Sequence, residues 1–334
     1  MTDCSQEAPA KVGAGSIDLV LVTWNRATEL AKLLDSIDRQ TIRPLIRVMV
    51  VDNGSTDDTR TMLAGRATPV ECVWLGRNVG PAVGRNIGLR LTTAPLVAFA
   101  DTDAWLEHDD ILEKAASHLN ADAQCCGFST VIYLDERHEG IFCRGCYYTE
   151  FGHFDPDRTF AQAHDPHFLS TCFAVYRRAD LERVGGFDPF YGYGIEDVDL
   201  AATVKRATRG HFHVDETRAV IHEMSMSGRE FHWHDFDRKF RYFEWNRQYL
   251  VLRQMGLRHW LWATLRLPFT RGYMWKVYKH PLTLRQKLQA AVGYPALAAL
   301  CLPSLLLRRR RNHLAAVETE TLPPPERLGG ATGA

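Results

Sequence analysis

Apolar and polar positions in the first third of the chain alternate between two periods. Ile17-Asp-Leu-Val-Leu-Val22, Arg47-Val-Met-Val-Val51, Glu71-Cys-Val-Trp-Leu75 and Pro95-Leu-Val-Ala-Phe-Ala100 are short, largely apolar runs. Such runs read as strands buried on both faces. After the first, Leu30, Leu33, Leu34 and Ile37 recur at helical spacing and give one apolar face. Asp52 ends the second run and Asn53-Gly54 turns the chain. Thr56 is the expected N-cap of the next helix, with Asp57 and Asp58 in its first turn. Pro81 suits the first position of a helix reaching about Leu91. Strand and helix in this order imply right-handed crossovers, with helices on both faces of a parallel sheet.

The pattern loosens beyond residue 120. Residues 124–134 read as one long strand or a hairpin arm, 168–176 as a strand, and 196–207 as a helix. Val184-Gly-Gly-Phe-Asp188 makes a tight turn. Residues 135–167 mix aromatics, His, Asp and Gly without a period, which suits a binding loop or an excursion with short strands. After about residue 226 the chain becomes aromatic and basic, and 231–252 reads as helix packed on the preceding domain. Residues 288–307 carry no charge and precede Arg308 to Arg311. That length could span a bilayer, but Pro295, Pro303 and basic flanks favour an interfacial segment drawn to anionic lipid. A true span and a buried helical hairpin stay open.

Composition narrows the class. The 334 residues suit one large domain with attachments, or two smaller ones, and Lys plus Arg equals Asp plus Glu at 40 each. That balance gives no sign of a nucleic-acid partner. Residues 1–16 are small and polar, with no basic n-region ahead of an apolar h-region, so they read as a disordered leader. The expected location is the cytoplasm, at the inner face of the plasma membrane if the extension is membrane-associated. There the eight cysteines are expected as thiols. A zinc site on Cys143 and Cys146, with Cys125 and Cys126 upstream, lacks a second well-spaced pair. Residues 312–334, with three consecutive prolines and glycine-rich ends, read as a disordered tail.

Chemistry enters at Asp101-Thr102-Asp103, where the fourth apolar run stops. Ligands of open α/β sheets bind at the carboxyl ends of strands. Two carboxylates there are costly unless a cation joins them to something anionic, and hard oxygen donors suit magnesium or manganese. Alone, a D-x-D is a weak signal. Thr23-Trp24-Asn25-Arg26 follows the first strand, Asp52 the second, and Asn78 to Asn86 the third, so several strand ends supply polar groups to one crevice.

The chain resembles a family 2 glycosyltransferase of the GT-A fold, a Rossmann-like α/β architecture. The resemblance rests on Val22-Thr-Trp-Asn-Arg26, Val50-Val-Asp-Asn-Gly-Ser-Thr-Asp57, Asn78-Val-Gly-Pro-Ala-Val-Gly-Arg-Asn-Ile-Gly88, Asp101-Thr-Asp103, Gly185-Gly-Phe-Asp188 and Glu196-Asp-Val-Asp-Leu200. It covers roughly residues 17–225, divided into a nucleotide-sugar half (17–105) and an acceptor half (106–225). A helical, membrane-associated extension would fill 226–311.

The resemblance implies an inverting enzyme that moves one sugar from a nucleotide-diphosphate sugar to a hydroxyl of a glycan or lipid-linked acceptor. Its setting would be cell-surface polysaccharide or glycoconjugate synthesis. Trp24 and Asp52 would take the base, one as an aromatic platform and the other as acceptor for a ring N–H. Thr23 and Arg26 are weaker candidates at the same edge. Asn78, Gly80 and Arg85 would meet the donor, and a salt bridge from Arg85 to Asp101 is the plain alternative. Asp101 would lean toward the ribose and an ordered water, and Thr102 is a further donor-binding candidate. Asp103, with Asp101 and His222, would hold Mn2+ or Mg2+ against the diphosphate. Asp197 would be the base and Glu196 the positioner of the acceptor; two acids at a helix start are also ordinary capping chemistry. Phe187, Asp188 and Tyr193 would shape the acceptor side, and Thr171-Cys172 the floor beneath the sugar.

Two departures stand out: Trp24 replaces the usual tyrosine, and Ala201-Ala-Thr-Val204 lacks the arginine many relatives carry. No Gln-x-x-Arg-Trp follows, so a single-sugar transferase is favoured over a processive synthase. The alternatives are a sugar-phosphate nucleotidyltransferase, whose Gly-rich basic loop is absent after the first strand, and a non-catalytic nucleotide-sugar-binding module.

Overall fold

A computed structural model describes residues 16–155, 159, 164–192, 194–224, 245–266, 302, 313–318 and 322–330. Strands β1 (Ile17–Thr23), β2 (Ile46–Asp52), β3 (Val70–Trp74) and β4 (Leu96–Asp101) lie parallel in the order β3-β2-β1-β4. Helices α1 (Ala27–Asp38), α2 (Thr59–Ala64) and α3 (Pro81–Arg90) connect them. The crossovers are those the alternating pattern requires. Leu30, Leu33, Leu34 and Ile37 are buried from α1 onto the sheet.

α2 begins later than the sequence suggests. Asp57, not Thr56, accepts from the Thr59 amide and hydroxyl, while its second oxygen accepts from the Ala27 amide. The Thr56 amide donates to Asn25 Oδ1. The loops after β1 and β2 are thereby tied together along the edge where ligands bind in such sheets.

α3 packs unusually close to the sheet because two of its residues lack a side chain. A methyl on Gly88 would sit 2.3 Å from Val20 Cγ1, and one on Gly84 would sit 2.8 Å from Val22 Cγ1. Gly88→Ala is expected to destabilise the protein by about 2 kcal/mol through overpacking. Urea melts should show a lower midpoint at an unchanged m-value.

The second half of the sheet is mixed. β5 (Ala104–Leu106), α4 (Ile111–Ala121) and the long β6 (Cys125–Tyr133) follow β4; β7 (Ile141–Cys143) pairs with β6 alone. β8 (Phe173–Arg177) runs antiparallel between β4 and β6, and β9 (His211–His222) lies between β6 and β5. Helices α5 (Arg178–Val184) and α6 (Glu196–Thr208) separate β8 from β9. Because β8 is antiparallel, its first residues lie beside the last residues of β4: the Asp101 amide donates to Cys172 O. α7 (Trp245–Met255) and α8 (Leu257–Arg266) come from the predicted helical extension. No helix among the described residues is long and apolar enough to cross a membrane. Of the uncharged segment 288–307, only Leu302 is described.

Two expectations change. Cys143 and Cys146 form a disulfide rather than a thiol pair or half a zinc site. The turn after β7 and the Cys146–Phe168 bridge fold the loop back on itself and bring the Cα atoms to 5.9 Å. Cys125 and Cys126 direct their thiols to the carbonyls of Gly127 and His211. The tail is not uniformly disordered either. β10 (Glu326–Leu328) pairs antiparallel with β3. Glu326 accepts from Trp74 Nε1 at 2.9 Å and pairs with Arg60. β3 would otherwise be an open edge of the parallel half, and covering such edges removes unpaired backbone groups.

Candidate active site

The strand register lines up the polar ends. Thr23 lies opposite Asp52, Val22 opposite Asp101, and Ala104 opposite His222. Residues far apart in sequence thus share one sheet edge.

At the first pair of strands the structure leaves acceptors unsatisfied. Asp52 is 1% exposed, and its Oδ1 accepts from the Gly54 and Ser55 amides. Its Oδ2 is buried without a hydrogen-bond partner among the described residues, as are Thr23 Oγ1 and Asn53 Oδ1. Buried acceptors left unpaired are costly and call for a donor from outside. Trp24 beside them is half-buried. Asn53 did not figure in the sequence reading, because an Asn-Gly pair explains itself as a turn.

Arg26 reaches toward the end of the fourth strand. Its guanidinium pairs with Asp103 at 2.8 Å. Asn78 is exposed and its Oδ1 accepts from the Gly80 amide, so it shapes its own turn. Gly80 has φ +81°, and a methyl there would meet Gly192 O at 2.9 Å. It serves the close approach of two loops.

Arg85 is the hub. It is 5% exposed and donates to Asp101 at 2.9 Å and to Glu196 Oε1 at 2.7 Å. Burial works against its charge, but Glu196, Asp101 and Asp197 outweigh that and keep it protonated. The guanidinium sits 5.4 Å from the Phe187 ring, which packs edge-on against Phe99. Phe187 is therefore core beneath the site and not an acceptor-side residue.

Asp197 is the second residue of α6, whose first residue, Glu196, follows Ile195, a β-branched residue at φ +74°. That conformation is strained for isoleucine. It turns the chain so that Glu196 meets Arg85 and Asp197 Oδ2 accepts from the Thr171 amide at 3.3 Å. The residue is half-buried, with its carboxyl walled by protein. Enclosure and the neighbouring Glu196 push it up to about 7, against the pull of Arg85 and the Thr171 amide. If this group takes a proton during turnover, kcat/KM should fall below about pH 7 with a slope of one proton, which a pH–rate profile checks. The folded protein holds this proton more tightly than the unfolded chain. The group therefore adds stability at acid pH, lost as pH rises through about 7.

Asp101, Cys172 and His222 offer ligand atoms that all lie within 4.8 Å of one another. The His222 Nδ1 is 3.4 Å from Cys172 Sγ, and its Nε2 is 3.3 Å from Asp103 Oδ1. Oxygen, nitrogen and sulfur donors at this spacing fit a divalent cation. The expected set was Asp101, Asp103 and His222. The structure adds Cys172 and ties one oxygen of Asp103 to Arg26. Thr102 is buried between the two carboxylates. Burial pushes the Cys172 thiol well up, and Asp101, Asp197 and Asp103 all push the same way. The sequence placed Cys172 at the floor beneath the sugar but not among the cation's ligands, because its approach to Asp101 depends on the antiparallel pairing of β8.

Asp188 is 2% exposed and belongs to the scaffold. Tyr249 Oη donates to it at 2.9 Å, and Arg253 and His313 pair with it. Burial would raise its carboxyl, but His313, the Phe190 amide and Arg253 hold it well below the usual range. Arg253 also pairs with Asp199, so α7 is tied to both flanks of the Glu196-Asp197 step. Tyr193 lies outside the described residues.

A mostly parallel sheet with its polar groups at the carboxyl edge is the GT-A arrangement, and the chain belongs to glycosyl transferase family 2, whose pattern matches residues 18–185. It is 29% identical over 222 residues to a validoxylamine A glucosyltransferase of Streptomyces hygroscopicus subsp. limoneus, covering 55% of this chain and 46% of that one. It is 26% identical over 241 residues to the N-acetylglucosaminyl-diphospho-decaprenol L-rhamnosyltransferase of Mycobacterium tuberculosis, covering 64% and 78%. The chain spans about half the length of the first of these. Among solved structures, a mannosyltransferase from Pyrobaculum calidifontis in complex with GDP-Man and Mn2+ superposes with TM-score 0.55 at 20% identity, over 90% of this chain and 85% of that one. That likeness establishes the fold.

Proposed function

We propose that this protein is an inverting glycosyltransferase that moves one sugar from a nucleotide-diphosphate sugar to an acceptor hydroxyl. The observation that carries the reading is Arg85, which joins Asp101 at the donor edge to Glu196 beside Asp197. A leaving-group side and a base side would thereby be joined through one guanidinium. Family membership favours sugar transfer over nucleotidyl transfer or mere binding.

The unpartnered oxygens of Asp52, Asn53 and Thr23 would accept from the base, with Trp24 as its platform. A divalent cation bound by Asp101 and His222, with Cys172 or Asp103, would neutralise charge on the departing diphosphate. Asp197 would accept the acceptor's proton as its oxygen attacks the anomeric carbon, and its raised proton affinity suits that task near neutral pH. Glu196, held by Arg85, would orient the hydroxyl. The rhamnosyltransferase relative acts, by its name, on a diphospho-decaprenol glycan, which makes a lipid-linked glycan acceptor the first to try.

Incubation with a panel of nucleotide sugars, Mn2+ and lipid-linked or soluble glycans is expected to release nucleoside diphosphate and to give a product of inverted anomeric configuration. Chelation should stop release, and added Mn2+ should restore it. Release of pyrophosphate from a nucleoside triphosphate, or retention of configuration, would refute the reading.

A further inference from the structure

α8 is apolar on two adjoining faces, one buried and one exposed. Trp260 and Ala263 are buried against the protein, with Thr264 between their turns. Leu257, Leu261 and Leu265 recur every fourth residue about a quarter-turn round the helix, at 42%, 45% and 68% exposure, and Trp262 beside them is 38% exposed. Single exposed leucines are ordinary, but a contiguous row with a tryptophan on one short helix is a surface that meets something. The helix is not loose. Trp262 stacks on Phe151 at 5.4 Å, Arg266 lies over Trp262, and the His259 ring bonds Glu150 O at 2.6 Å.

Charge says what the row meets. Residues 245–317 hold thirteen Lys and Arg and not one Asp or Glu, in a chain whose charges balance over its full length. Arg258 and Arg266 flank the leucine row and are exposed. We propose that α8 docks on an anionic lipid bilayer, with its leucines at the acyl boundary and its arginines among the phosphate headgroups. Trp262, amphipathic and at the margin of the row, matches the residue type enriched at that depth. The ten-residue helix is about 15 Å long, too short to span the roughly 30 Å hydrocarbon core, so it lies in the surface. The adjoining α7 donates from Asn246 to the carbonyls of Tyr191 and Gly194, just ahead of Glu196. Lipid contact is therefore made one helix away from the acceptor-side loop. The proposal concerns where the enzyme works and does not depend on its donor.

Co-sedimentation of the full chain with vesicles tests it. The protein is expected to partition onto phosphatidylcholine vesicles containing phosphatidylglycerol, to remain in solution with phosphatidylcholine alone, and to release from the anionic vesicles as salt rises. Leu261→Glu with Leu265→Glu should lower partitioning by about a hundredfold. Arg258→Glu with Arg266→Glu should lower it by at least about tenfold. Equal binding to both vesicle types, or a leucine variant that binds like the parent, would overturn the proposal. So would a lipid-free dimer that the leucine variant dissociates, which would assign the row to a second copy. A leucine variant that loses thermal stability while keeping its vesicle binding would assign the row to another segment of the same chain, and would equally overturn it.

Discussion

With Asp197 replaced by asparagine, kcat is expected to fall by about a thousandfold while nucleotide affinity changes by less than about threefold. Asparagine has the same shape, and its one carbonyl oxygen can still accept from one of the two amides, Thr171 and Val198, that donate to Asp197 now. It cannot take up a proton near neutral pH. The variant therefore removes the base and keeps the scaffold. Turnover with a saturating donor, and nucleoside-diphosphate binding by calorimetry, separate the two effects. Asp199→Asn is the control. That carboxylate is bound by Arg253 and Gln254, so its loss should lower stability and leave the acid limb of the pH profile in place. An Asp197→Asn enzyme within tenfold of the parent would remove the residue from the chemistry.

Replacing Arg85 with methionine is expected to cost about 3–5 kcal/mol of stability, as breaking a buried pair from one side does. The guanidinium satisfies Asp101 and Glu196 together, and Glu196 has 7% of its side chain exposed. Methionine fills the volume beside Phe187 but leaves both carboxylates uncompensated. The Arg85→Met, Glu196→Gln double variant should recover a large part of the loss, since the more deeply buried orphan charge is then gone. Denaturant melts of the single and double variants measure this coupling. With Arg85 gone, Asp197 loses the cation that now holds its proton affinity down, so any residual activity should show its acid limb at higher pH. Equal stability of Arg85→Met and the parent would mean that the arginine is solvated and does not organise the site.

Parts of this arrangement were legible in advance, for local reasons. The alternation of apolar runs with helical spacing specifies β1 to β4 and α1 to α3, because strand and helix periods are properties of neighbouring residues. The placement of Asp52 and Asp101 at strand ends follows from where those runs stop. The N-cap of α2 was misplaced because Asp57 is recruited by the Ala27 amide of another loop. The pairing of Arg26 with Asp103 was not foreseen, since the two are remote in sequence. The β10 pairing was missed for the same reason, whereas the Cys143–Cys146 disulfide, three residues apart, was missed because a cytoplasmic setting was expected to keep the thiols reduced.

The amino-acid order by itself determined the fold class, the parallel half of the sheet, and the residue types collected at its carboxyl edge. It also determined the family, since short motifs in a fixed order persist where overall identity is low. Only the tertiary structure decided which of those groups face each other. The antiparallel β8 brings Cys172 to Asp101, the strained Ile195 sets Glu196 on Arg85, and the register of β5 with β9 brings His222 to Asp103. The physical reason is that strand direction and register are chosen by the burial of whole sheet faces, a sum over many distant residues that no local pattern contains.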